Sequence, residues 1–143
     1  MDRIHQKLIK EGLVLDGVVC TESASFIHGL SNFPPSSLLR YCDAAKCVAT
    51  HRYHFRNPNT TSTLSLTEDV ELLAGHLYVT NKERTICDMI LYESNDEFIY
   101  DSIEVYLELY GTSEVLLSYA DRYRCRTKME YYINTLDEYL AEL

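Results

Sequence analysis

The chain has 143 residues, 46% of them hydrophobic and 24% charged, with few Gly or Pro. That is enough for one domain with a buried core, and it excludes a largely disordered chain. The formal charge of −9 is uneven: twelve acids stand against Arg122, Arg124, Arg126 and Lys128 from Glu93 onward, so that half carries about −8. Such a field repels phosphate and argues against nucleic-acid binding by the acidic half, while suiting a basic protein partner.

Five cysteines (Cys20, Cys42, Cys47, Cys87, Cys125) form no close CxxC pair and follow no apolar signal segment, which predicts a reduced, cytoplasmic protein. No run approaches the roughly 18 uninterrupted apolar residues of a membrane span. No membrane partner is expected.

In chain order, Arg3 to Lys10 predicts a short helix that Glu11-Gly12 would end, and Leu13 to Cys20 reads as extended. Thr21 is the expected N-cap of a helix over Glu22 to His28, with Gly29 in the left-handed position that follows a helix. After a loop bearing Pro34-Pro35, β-type runs follow at Leu38 to Tyr41 and Cys47 to Phe55, with Asp43 to Lys46 as a hairpin connection. Thr63 to Thr67 and Val70 to Val79 supply more strand, the latter broken at Gly75.

The centre of the chain is Val79-Thr80-Asn81-Lys82-Glu83-Arg84-Thr85-Ile86-Cys87-Asp88-Met89-Ile90. Thr80 and Glu83 fit a capping box, which starts a helix at Asn81. Ile86, Cys87, Met89, Ile90 and Leu91 cover more than half of its circumference, and Arg84 and Asp88, one turn apart, share the remaining edge as an ion pair. Downstream, Phe98, Ile99, Ser102, Ile103, Tyr106, Leu109 and Tyr110 recur at helical spacing until Gly111. Thr112 caps a helix from Ser113 to about Tyr123, and Thr127 caps a last one with Met129, Tyr132, Ile133, Leu136, Tyr139, Leu140 and Leu143 on one stripe. The expected fold is α+β: a single domain, 1–143, with a short N-terminal helix (1–12), an α/β part (13–91) holding a small mixed sheet, and a helical part (92–143) packed on it.

Candidate chemistry is sparse. Cys42, Cys47, His51 and His54 are close in sequence, but strand alternation would put His54 on the face opposite Cys47 and His51, so no metal is expected. Glu68, Asp69 and Glu71 lack the following Lys that a metal-dependent nuclease needs. Ser23, Ser25 and His28 share a helix with no acid placed to orient the histidine. No Gly-rich phosphate loop exists. Neither enzyme activity nor a cofactor is expected. What remains is surface: a basic-aromatic patch over 40–56, with Arg40, Lys46, Arg52 and Arg56 as candidate contacts to phosphate or an acidic partner, and an acidic helix face with Glu104 and Glu108.

Two stretches carry a family resemblance. Ser23-Ala24-Ser25-Phe26-Ile27-His28-Gly29-Leu30, followed by a proline-bearing loop, and the later Thr80-Asn81-Lys82-Glu83-Arg84-Thr85-Ile86-Cys87-Asp88 resemble the C-terminal domain of AbiEi-like antitoxins of type IV toxin-antitoxin systems. In that family a small-residue helix ending in His-Gly-Leu precedes strands and then a Thr-x-x-Glu-Arg-Thr-x-x-Asp segment opening a helix. The resemblance covers roughly Leu13 to Leu91 and marks His28, Gly29, Thr80, Glu83, Arg84, Thr85 and Asp88 as motif positions. It implies a module that counteracts a nucleotidyltransferase-type abortive-infection toxin through a protein partner. Family members also carry an N-terminal winged helix for operator binding, and only about a dozen residues precede the extended segment here. The resemblance therefore does not extend to self-repression by operator binding. The alternatives are a phage-borne inhibitor of a host defence nuclease and a nucleic-acid-binding regulator that uses the basic 40–56 strands.

Overall fold

Short β-type runs assemble as β1 (Val18–Val19), β2 (Leu38–Tyr41), β3 (Tyr53–Arg56), β4 (Val70–Leu73) and β5 (Leu77–Thr80). Their spatial order is β3-β2-β1-β5-β4. The computed structural model describes residues 18–32, 38–41, 53–56, 69–73, 75 and 77–143, with backbone alone for 38–41 and 53–56. The predicted helix at Arg3 to Lys10, the run at Thr63 to Thr67 and the start of the extended segment before Val18 lie outside the described residues.

The sheet is mixed, as the α+β reading requires: β1 is parallel to β5 and antiparallel to β2, and β4 and β5 are antiparallel. Gly75, between these last two, has φ 78, a left-handed conformation that glycine adopts without a Cβ penalty. The expected break in the 70–79 run is this turn. One pairing departs from expectation. β2 and β3 are parallel, with Leu38 opposite Tyr53 and Tyr41 opposite Arg56. Parallel neighbours are not the two arms of a hairpin, so the expected hairpin pairing of these runs is corrected; Asp43 to Lys46 themselves lie outside the described residues.

Between β1 and β2 comes α1 (Thr21–Ile27), which packs Ala24, Phe26 and Ile27 on Val19, Leu77 and Val79 of the sheet. Strand alternation makes this possible, since Leu77 and Val79 are buried while Tyr78 between them is half exposed. Thr21 is not the cap that the sequence suggests: Cys20 holds that position, its side chain making no capping bond, and Thr21 already belongs to the first turn, at φ 48. Gly29 does act as expected. At φ 74 it lets its own amide reach the Phe26 carbonyl at 3.0 Å and the Leu30 amide reach Ser25 at 2.8 Å, closing a Schellman motif.

The second half is helical: α2 (Lys82–Leu91), α3 (Asp96–Leu109), α4 (Ser113–Tyr123) and α5 (Arg126–Ala141). Their shared core centres on Ile86, Met89, Ile103, Leu116 and Met129, all fully buried, each stabilising the fold by about 1.5–3 kcal/mol through lost apolar surface. Leu30 joins this same core from the end of α1. Thr112 caps α4 as expected, accepting from the Val115 amide at 3.3 Å. Thr127 does not cap α5. The helix begins one residue before it, with Cys125 at the cap and no side-chain capping bond.

The apolar stripes of α3 and α5 outrun their partners. Ile99, Ile103 and Tyr106 are buried on α3, but Leu109 is 65% exposed; on α5, Met129, Ile133 and Leu136 are buried, but Tyr139, Leu140 and Leu143 are exposed. The two helices run side by side in the same direction: Tyr132 packs edge-on to Tyr100 at 5.0 Å and donates to Asp96 at 2.7 Å, and Leu107 and Leu136 share a groove further along. Among the described residues no helix is long and apolar enough to cross a membrane.

Candidate interaction surfaces

The motif residues meet where β5 hands over to α2. Asn81, not Thr80, is the N-cap: its Oδ1 accepts from the Arg84 amide at 2.8 Å. The expected Thr80–Glu83 box is thus displaced by one residue. Asparagine is at least as good a cap as threonine, and Thr80 is still in the strand, where its hydroxyl lies 2.7 Å from that of Thr85. Thr85 in turn bonds the Asn81 carbonyl at 2.7 Å. Glu83 stands beside Tyr106, whose phenol is pushed above its ordinary range by burial first and by this carboxylate second.

Arg84 Nε donates to Asp88 Oδ2 at 3.2 Å. The pair is not at a helix edge as the sequence suggests, because both side chains are fully buried. The guanidinium faces the Tyr123 ring, 6.0 Å from its centroid. Tyr123 donates to Asp69 Oδ2 at 2.8 Å, and Arg122 donates to the same oxygen. Burial, more than any charge, raises the Tyr123 phenol well above the usual range and keeps it a donor. The Asp69 carbonyl accepts the Asn81 amide at 2.8 Å, so one acid ties β4 and the α2 cap to α4.

His28 anchors α1 to the same junction. Its Nε2 lies 2.7 Å from the Thr80 carbonyl and 3.5 Å from Glu71 Oε2. The sequence expectation of no acid near this histidine is corrected, since β4 brings Glu71 to it. Burial dominates nonetheless and lowers its pKa below 6.5. The neutral ring donates to Thr80, while the Ser25 hydroxyl is engaged by Ser102 on α3 at 2.7 Å. Of the acids near β4, Asp69 is held by Arg122 and Tyr123, and Glu71 lies 3.5 Å from the His28 ring. Glu68 lies outside the described residues.

Of the basic patch, the structure describes the backbone at Arg40 in β2 and Arg56 in β3. Arg40 stands opposite Phe55 and Arg56 opposite Tyr41, so the two positions are out of phase and belong to opposite faces of the sheet. Lys46 and Arg52 lie outside the described residues, as do Cys42, Cys47 and His51. Among the described residues no group of three His, Cys, Asp or Glu is placed to hold a metal. Cys20, Cys87 and Cys125 are buried thiols that form no disulfide, and a hydrogen bond with Cys125 together with burial raises Cys87 well above its ordinary range.

The acidic face is fully described. Glu104 and Glu108 are exposed on α3 and rim a groove of about 420 Å³ whose other lining residues are Leu107, Leu136, Asp137 and Leu140.

No protein-family model matches this chain, and no curated protein matches it.

Nothing in the sequence signals that Asp69 ties β4 to α4, nor that Asp137 and the groove leucines come together, because each acquires its place from a long-range contact. The one local hint was the acid count of the second half, which holds α3 and α5.

Proposed function

We propose that this protein is a non-enzymatic, AbiEi-like antitoxin module that counteracts a nucleotidyltransferase-type toxin in the cytoplasm by binding it. One observation supports this reading above the others. The residues that carry the resemblance (His28, Gly29, Thr80, Arg84, Thr85 and Asp88) all serve the joint between sheet and helices, while the exposed acids Glu104, Glu108 and Asp137 stand on α3 and α5. Buried groups fixed in that way build a scaffold, and the exposed acids are left for recognition.

Co-expression tests the proposal. The wild-type protein is expected to restore growth of cells making its cognate nucleotidyltransferase-type toxin, and to co-purify with it. Growth arrest despite soluble, folded protein overturns the reading. The acidic groove also favours a second reading, inhibition of a basic nucleic-acid channel in a defence nuclease, because clustered carboxylates present the same charge as a phosphate backbone. Inhibition of such a nuclease, with no protection from the toxin, selects it. The regulator reading through the basic strands receives less support, since Arg40 and Arg56 belong to opposite faces.

A further inference from the structure

The geometry points to the α3–α5 groove as the docking site for a basic amphipathic helix of the partner, laid antiparallel to both helices. This deepens the binding-module reading above and rests on it. The floor is apolar: Leu107, Leu136 and Leu140, the last 47% exposed, form a strip that can take anchors spaced three or four residues apart on a third helix. The rim is of one sign, with Glu104 and Glu108 on one side and Asp137 on the other. Among the described residues no ion pair engages any of these three acids.

Helix direction adds to the charge. α3 and α5 are parallel, so both bring carbonyl ends, each with about half a negative charge, to the same end of the molecule. Cations normally settle there, yet neither helix has a basic residue in its last turn. Lys82 reaches the end of α3, where its Nζ sits over the Tyr110 ring at 4.6 Å and makes no ion pair with the groove acids among the described residues. An antiparallel partner helix supplies what is missing twice over, with lysines or arginines flanking its apolar stripe and with its positive N-terminal end placed at the carbonyl ends of α3 and α5.

The test uses the full chain and a labelled Lys/Leu peptide of about 14 residues with helical periodicity, against a peptide of the same composition with that periodicity scrambled. Fluorescence anisotropy is expected to show the periodic peptide binding at least about tenfold more tightly. Glu104→Lys with Glu108→Lys should weaken it about tenfold or more, whereas Glu93→Lys with Glu114→Lys, the same charge change on other exposed acids, should shift it less than about threefold. Leu140→Gln, at an exposed position that does not threaten folding, should weaken it about fivefold. Equal binding of both peptides, or equal loss in both charge-reversed variants, overturns the groove and leaves only a general acidic surface. The toxin co-expression assay is read separately on the same variants. Lost peptide binding with full protection from the toxin keeps the groove and removes the antitoxin reading, whereas intact peptide binding in every variant removes the groove and leaves the antitoxin reading standing.

Discussion

At the seam between α2 and α4, charges of both signs are joined: Arg84 to Asp88, both fully buried, and the half-exposed Arg122 with Tyr123 to the mostly buried Asp69. At the far end of α3 and α5, charges of one sign are exposed and face solvent around an apolar groove. Identical residue types thus have opposite fates, and the difference is solvation. A desolvated carboxylate costs several kcal/mol unless a partner compensates it, which commits the seam to the fold. An exposed carboxylate keeps its water until something displaces it, so the groove end stays available for contact.

The comparison breaks first at Arg84. Arg84→Ala leaves Asp88 buried without its guanidinium and should cost about 3–5 kcal/mol, read from the urea midpoint; replacing both partners, Arg84→Met with Asp88→Leu, should lie much closer to the wild type. Equal losses in the two would mean that volume, not charge, governs the seam. Next comes Gly111, just beyond the end of α3, where a Cβ would meet the phenol of the buried Tyr106. Gly111→Ala should cost about 1–3 kcal/mol by thermal denaturation, and an unaffected melting temperature would show that Tyr106 can move aside.

A pH series sharpens the junction side. The folded state holds His28 below its ordinary 6.5 because burial outweighs the Thr80 carbonyl and Glu71, with Lys82 and Glu83 as smaller influences. Below 6.5 the unfolded chain therefore binds more protons than the folded one. The stability tied to the neutral ring is complete above 6.5 and is lost as pH falls through the lower folded value. His28→Gln should flatten the stability profile between about pH 7.5 and pH 5, and parallel profiles for the two proteins would assign the acid sensitivity elsewhere. The smallest effect belongs to the groove. Glu104→Lys with Glu108→Lys should leave stability unchanged or raise it by at most about 1 kcal/mol, since cations are favoured near a helix C-terminus; a large loss would place these acids among the residues that hold the fold.

What the sequence revealed was what short-range chemistry decides. The α2 helix, the left-handed Gly29, the Thr112 cap and the Arg84–Asp88 pair follow from neighbours within a turn or two. Where two adjacent residues offered the same chemistry, the choice failed by one position, as with Thr80 and Asn81. The parallel pairing of β2 and β3 was not legible, because register between strands is set by partners elsewhere in the chain. Nor was the exposed end of the α5 stripe: periodicity marks Tyr139, Leu140 and Leu143 as a continuation of Met129 and Ile133, but α3 stops at Leu109 and covers no further. That shortfall is what leaves the groove open.

Leu30 sits in no helix or strand, yet its side chain is fully buried in the core of the second half while its amide closes the last turn of α1 on the sheet. The α1 turn cannot loosen without withdrawing a stopper from among the four helices, and those helices cannot part without releasing α1. Local opening at this point is therefore tied to global unfolding, and a turn amide, ordinarily among the first to exchange with solvent, here belongs with the slowest in the molecule.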